Sequence, residues 1–143
     1  MELEKILEQW EKDAVIDQTE PSKELIRIPL LHSKYLNFLT KHKMASKKVN
    51  FDYLRMRKIK VEYYSGKLSQ EELEERGWEP FPFTLKSEMN TYLESDADLI
   101  KLLEKKVYHD ETISVIEAIM GELKQRTWQL RDFISWEKFV AGQ

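Results

Sequence analysis

The stretch that decides the fold runs from Pro29 to Gly66, PLLHSKYLNFLTKHKMASKKVNFDYLRMRKIKVEYYSG. Apolar or small residues recur in it at alternating spacings of four and three: Leu31, Tyr35, Phe38, His42, Ala45 and Val49, with Tyr53, Met56 and Tyr63 further on. The pattern is close to a heptad seam. Pro29 reads as the opening of a helix, because a first turn does not need the N–H that proline lacks. No Gly or Pro interrupts the pattern until Ser65-Gly66, and Gly66 suits the left-handed position that ends helices. At 1.5 Å per residue a helix of roughly 35 residues reaches about 50 Å. The rest of a 143-residue chain is too small to cover that length, so part of the seam is expected to face another copy of the chain.

Upstream, Leu3, Ile6, Leu7 and Trp10 have the i, i+3, i+4, i+7 spacing of a short amphipathic helix, expected to end by Asp13 because Asp17, Thr19 and Pro21 follow. Downstream, Ser69 and Glu72 have capping-box spacing, so Ser69 to Arg76 reads as a two-turn helix closed by Gly77. Trp78-Glu79-Pro80-Phe81-Pro82-Phe83 cannot be helical throughout, since its two prolines push the residues before them toward extended backbone. It is expected to be a rigid aromatic connector. A short helix follows at about Ser87 to Glu94, and Ser95 with Asp98 offers another N-cap. From Asp96 to about Phe139, Leu99, Leu103, Ile113, Ile116, Met120, Leu123, Leu130 and Ile134 recur at helical spacings. The polar gap between Leu103 and Ile113 predicts a break or kink near residues 106–111, and Gly121 a bend or a close helix contact. The expected fold is all-α and elongated: two long helices joined by short helices and the aromatic, proline-containing connector.

Composition agrees with that class. Charged residues make up 34% and hydrophobic ones 41%, with mean hydropathy −0.60 and only 4 Gly and 4 Pro, a mixture that suits a helix-rich protein with one domain rather than a β sandwich. The absence of cysteine excludes disulfides, Cys-ligated zinc, iron–sulfur clusters and thiol catalysis. No stretch approaches the ~18 apolar residues of a membrane span. The charged start, Met1-Glu2-Leu3-Glu4-Lys5, lacks the features of a signal peptide. A soluble cytoplasmic protein with no membrane partner is expected.

The net charge of −3 conceals a division along the chain. Between Lys41 and Lys67 stand nine cationic residues, Lys41, Lys43, Lys47, Lys48, Arg55, Arg57, Lys58, Lys60 and Lys67, against Asp52 and Glu62. That block is +7 and the remainder −10. A basic block on an acidic chain can neutralise a polyanion's backbone while the remainder limits indiscriminate binding. Aromatics beside cations are what a single-strand binder needs, because unpaired bases stack on rings. Tyr63 lies on the apolar seam, so Tyr64 is the better stacking candidate. Catalysis finds little support: His109-Asp110-Glu111, or Glu88 with Asp96 and Asp98, could be imagined as a hard-metal site, but there is no P-loop and no His-Glu-x-x-His. No catalytic residue, metal ligand or cofactor is expected. Trp10, Trp78, Trp128 and Trp136 read as core or interface anchors, and Trp136 with Phe139 as part of a subunit interface. A helical scaffold or adaptor that binds only protein is the alternative.

Lys58-Ile59-Lys60-Val61-Glu62-Tyr63-Tyr64-Ser65-Gly66 resembles the basic-acidic-Tyr-Tyr-Ser-Gly motif of the UvsY recombination mediators of T-even-type phages. Ser33-Lys34-Tyr35-Leu36-Asn37, Lys86-Ser87-Glu88-Met89, Ser95-Asp96-Ala97-Asp98 and the Ala141-Gly142 ending resemble further family segments in the same order. The second basic position is Lys60 here where the best-known member has Arg, which keeps the charge without the planar fork. The resemblance implies an all-helical protein with no enzymatic activity of its own, forming a closed ring of six or seven subunits. It implies binding of single-stranded DNA, and loading of a phage RecA-like recombinase in place of the phage single-strand-binding protein, in the cytoplasm of the infected host. DNA contact would then fall to Lys58 and Lys60, within the basic set that includes Arg57, Arg55, Lys47, Lys48 and Lys41. Oligomerisation would fall to the C-terminal helix, at Ile116, Met120, Leu123, Leu130, Ile134 and Trp136. On that basis residues 1–84 form a DNA-binding region and residues 85–143 an oligomerisation region.

Overall fold

A computed structural model describes residues 1–82 and 85–142 of the chain. Phe83 of the aromatic connector and Thr84 at the expected regional boundary lie outside the described residues. Among the described residues five helices follow one another: α1 (Leu3–Asp13), α2 (Pro21–Tyr64), α3 (Gln70–Arg76), α4 (Lys86–Glu94) and α5 (Ala97–Val140). They pack as two units, Met1–Met44 with Asp110–Gln143, and Ala45–His109. This division differs from a boundary after residue 84, because α2 and α5 each contribute one part of their length to each unit.

In the first unit α1 and the early part of α2 pack with the later part of α5. Leu31, Tyr35, Phe38 and Leu39 of α2 meet Ile116, Ile119 and Leu123 of α5, and Ile6 of α1 closes the cluster. Leu31, Tyr35, Phe38, Ile116 and Leu123 are seam residues of the two long patterns, and Leu39 and Ile119 beside them widen each helix's apolar stripe. Trp10 stands edge-on to Tyr35, and Tyr35 edge-on to Phe38, with centroids 5.7 and 5.6 Å apart.

A buried charge network finishes this core. Asp13, at the end of the α1 stripe, is 8% exposed. Its carboxylate accepts hydrogen bonds from Lys34 Nζ at 2.8 Å, Tyr35 Oη at 2.8 Å and Arg27 Nη2 at 3.2 Å. Burial opposes its ionisation, but the hydrogen bonds from Lys34 and Tyr35 and the charges of Lys34 and Arg27 outweigh it, holding the carboxyl below the usual range. Arg126 of α5 donates to the carbonyls of Asp13 and Ala14, each at 3.0 Å. A cation thereby satisfies acceptors that the end of α1 leaves without helical partners. His42, a polar interruption of the seam, donates from Nε2 to the Met1 carbonyl at 2.7 Å.

Three sequence expectations change. The long helix begins at Pro21, so Pro29 lies inside it. An interior proline forfeits a helical hydrogen bond and costs ~3 kcal/mol. The helix extends upstream because Glu24 is buried and Arg27 is bound to Asp13, fixing that turn by tertiary contact. The polar gap before Ile113 does not break α5, which runs unbroken from Ala97; the gap instead holds the boundary between the two units, at His109 and Asp110. The cap of α5 is Asp96 rather than Ser95. Its Oδ1 accepts from Leu99 N at 3.0 Å, while Ser95 Oγ turns back to the Thr91 carbonyl at 2.7 Å.

In the second unit α2 ends in a Schellman turn, with Lys67 N bonded to the Glu62 carbonyl, Gly66 N to that of Tyr63, and Gly66 at φ 71°. Ser69 caps α3 by accepting from Glu72 N, and Gly77 closes it in the left-handed conformation.

Because the Asp13 carboxyl titrates lower in the folded chain, its stabilisation is fully present above the unfolded carboxylate pKa of about 4 and is lost as pH falls through the folded value. Chemical denaturation near neutral pH should show Asp13→Asn less stable by about 2 kcal/mol, with the gap shrinking below pH ~4. A gap that does not change with pH would mean that the Asp13 charge is not the stabilising element.

Candidate nucleic-acid interface

Residues 45–64 of α2 carry most of the basic block, and helical geometry sorts them by face. Each residue advances about 100°, so positions i, i+4, i+7, i+8 and i+11 fall on one side. Starting from Lys47, that side holds Phe51, Leu54, Arg55 and Lys58, with Lys48 at its edge, and all of them are exposed. Arg57 is also exposed, on the flank. Of these cations Arg55 is paired, with Asp52 at 3.1 Å in a largely solvated contact that contributes little. Lys41 is exposed on the α2 segment of the first unit.

Lys58 and Lys60 part company. Two residues along a helix is about 200° of rotation, and while Lys58 points outward, Lys60 is 5% exposed. Its ammonium lies 3.1 Å from Asp96 Oδ2 and 2.8 Å from Asp98 Oδ2. It also sits 3.9 Å from the centroid of the Trp78 ring, a close cation–π contact. A buried ammonium is tolerated only when paired and hydrogen-bonded, and here three elements supply its partners: the α5 cap, the first turn of α5, and the connector.

Asp96 is the hub of this latch. Oδ1 caps α5, and Oδ2 accepts from Tyr64 Oη at 2.6 Å as well as from Lys60. Burial works against its charge, but the bonds from Tyr64, Leu99 N and Lys60 prevail and hold its carboxyl below the ordinary range. Burial first, and then the bond to Asp96, push the Tyr64 phenol well above its usual value. Asp96 and Asp98, imagined from sequence as metal ligands, thus face an ammonium. Among the described residues no cluster of His, Asp and Glu is arranged to hold a metal ion.

The connector folds over the Tyr63-Tyr64 pair. Trp78 lies 5.1 Å from Tyr63, and Phe81 lies 5.6 Å from Tyr63 and 4.9 Å from Tyr64, centroid to centroid. Tyr92 of α4 stacks on Tyr64 at 5.5 Å with ring planes 28° apart. Tyr63 Oη donates to the Glu79 carbonyl at 2.7 Å. Tyr64, the stacking candidate from sequence, is therefore half-buried with its ring stacked on Tyr92 and its hydroxyl bonded to Asp96.

The C-terminal set divides too. Ile116 and Leu123 belong to the core of the first unit, Leu130 is 4% exposed, and Met120 packs against the core. Ile134 is half-buried, and Trp136 is 62% exposed, stacked on Phe139 at 5.8 Å. Trp128 and Val140 are exposed as well. A shallow groove lined by Pro21, Phe133, Ile134, Trp136 and Val140 lies beside this surface. Sequence reasoning missed Phe51 and Leu54, although their four- and seven-residue offsets from Lys47 put them on the cationic side of the helix.

The arrangement defines an all-α protein with a cationic helix face and an exposed apolar helix end. A family model described as recombination, repair and ssDNA binding protein UvsY matches residues 9–143, and the chain belongs to that family. The recombination protein uvsY of Enterobacteria phage T4 is 27% identical over 143 residues, all of both chains. A crystal structure of the bacteriophage T4 recombination mediator protein UvsY is similar with a TM-score of 0.85 and 25% identity, covering 99% of this chain and 98% of that one. A second lattice form of the same T4 protein has a TM-score of 0.85 at 24% identity, covering 97% and 99%.

Lys60→Ala leaves Asp96 and Asp98 without their ammonium and should lower unfolding free energy by roughly 3 kcal/mol, whereas Lys58→Ala should leave it within ~0.5 kcal/mol. Denaturant titrations of the two variants check this, and equal losses would contradict the division between the faces.

Proposed function

We propose that the protein is a recombination mediator that binds single-stranded DNA as a homo-oligomer and loads a RecA-like recombinase in place of single-strand-binding protein. It would act during recombination-dependent replication and repair in the cytoplasm of an infected bacterial host. The observation that carries the reading is the outward row Lys47, Lys48, Arg55, Arg57 and Lys58 on one helix of an acidic chain. Lys41 extends the exposed cationic set. Family membership supports the class of function. In this reading the exposed cations meet phosphates. Lys60 and Tyr64 act one step back, holding the end of α2 against the start of α5 so that the row keeps its aim.

Oligomerisation is assigned to the exposed end of α5. Trp136, Phe139 and Val140 are 62%, 73% and 66% exposed, an apolar surface of the kind that subunit contact covers. Ile116, Met120, Leu123 and Leu130 support that surface from the core, and Ile134 lies between core and surface. A ring of six or seven copies, as family resemblance implies, multiplies a weak contact along one strand, by ~10²–10⁴ in affinity. Recombinase loading follows if the gathered strand is presented free of single-strand-binding protein.

Affinity for a fluorescent single-stranded oligonucleotide should fall with salt, with a log–log slope near −0.7 per phosphate neutralised. Lys58→Ala should weaken binding and shrink that slope by about 0.7 per subunit engaged, with oligomer mass unchanged; unchanged affinity and slope would remove Lys58 from the interface. Separately, Trp136→Glu with Phe139→Glu should dissociate the oligomer in sedimentation while thermal stability is retained. An intact oligomer in that variant would place the subunit contact elsewhere.

A further inference from the structure

We propose that Phe51 is the base-stacking platform of the interface, a role that rests on the reading of α2 as a single-stranded nucleic-acid site. Phe51 is 56% exposed, and among the described residues no other ring lies against it. It stands one helical turn from Lys47 on one side and from Arg55 on the other, with Lys58 a further turn along. Residues four apart on a helix are neighbours, so long cationic side chains flank the phenyl ring on the same face. Leu54, 53% exposed, widens the apolar ground beside it.

A single strand offers a phosphate backbone and unpaired bases, and binding it calls for cations with an accessible ring between them. The Tyr63-Tyr64 pair does not meet that condition. Tyr64 is stacked on Tyr92, met edge-on by Phe81 and bonded to Asp96, and Tyr63 is enclosed by Trp78, Phe81 and Tyr64. The exposed rings near the end of α5 lack the charge: between Trp128 and Val140, Arg131 and Lys138 are balanced by Asp132 and Glu137. Around Phe51, residues 45–58 carry five cations against Asp52 alone. Charge complementarity therefore selects a nucleic-acid strand as the occupant of this face. Because a ring accepts any base, Phe51 adds affinity without sequence preference.

The test uses the full-length oligomer and two oligonucleotides of equal length and charge, one of thymidines and one wholly abasic. Wild type should prefer the base-bearing strand by about 5- to 100-fold. Phe51→Leu, which keeps apolar bulk but has no ring, should lose most of that preference while its salt slope and oligomer mass stay the same. Phe51→Tyr should restore the preference. A Phe51→Leu variant that keeps the wild-type ratio overturns the stacking role. One that dissociates the oligomer overturns it in favour of contact between copies. Failure of wild type to bind either strand in a salt-dependent way would instead overturn the nucleic-acid reading beneath it.

Discussion

An α-helix that turns about 100° per residue cannot present neighbours to the same side, and α2 depends on that constraint throughout. Over Pro21–Tyr64 it supplies Leu31, Tyr35 and Phe38 to the core of the first unit, Lys60 and Tyr64 to the latch of the second, and the Lys47–Lys58 row to solvent. Residues adjacent in sequence therefore have different work. Lys58 is a solvated cation, and Lys60, two positions on, is a buried counter-ion of two aspartates.

Both units use buried charge to fasten helix ends. Asp13 gathers Lys34, Arg27 and Tyr35 while Arg126 holds the carbonyls at the end of α1, and Asp96 caps α5 while gathering Lys60 and Tyr64. In each the carboxylate is shielded from water yet stays ionised, because hydrogen bonds outweigh desolvation. Apolar contact alone defines a helix pair loosely, since a stripe of similar side chains tolerates sliding. Directional bonds to one carboxylate do not, and they end each packed segment at a particular residue.

Much of this was legible in the chain. The seam spacing, the Ser69 cap, the terminators Gly66 and Gly77 and the short helix before residue 95 are local signals, and each appears where local chemistry puts it. Where the structure departs from the local signals, tertiary contact overrides them. Pro29 reads locally as a start because what holds the turn upstream, the bond from Arg27 to Asp13 fourteen residues earlier, is not a local signal. Ser95 looked like the cap because a serine in that place is a good one; Asp96 takes the position because its second oxygen has Tyr64 and Lys60 to bind.

The candidate interface was legible as a charge and not as a surface. The helical class, the concentration of cations in one stretch and the family motif can be read from the chain alone, since composition, period and order of residues are its own properties. Which cations face solvent, which aromatics are spent on packing, and that Phe51 rather than Tyr64 stands open among lysines emerge only once the helices are packed. The physical reason is that exposure depends on what packs against each face of a helix. The partners that fill the faces of Lys60 and Tyr64 come from the connector, α4 and the start of α5, eighteen to thirty-eight residues further along the chain from Lys60.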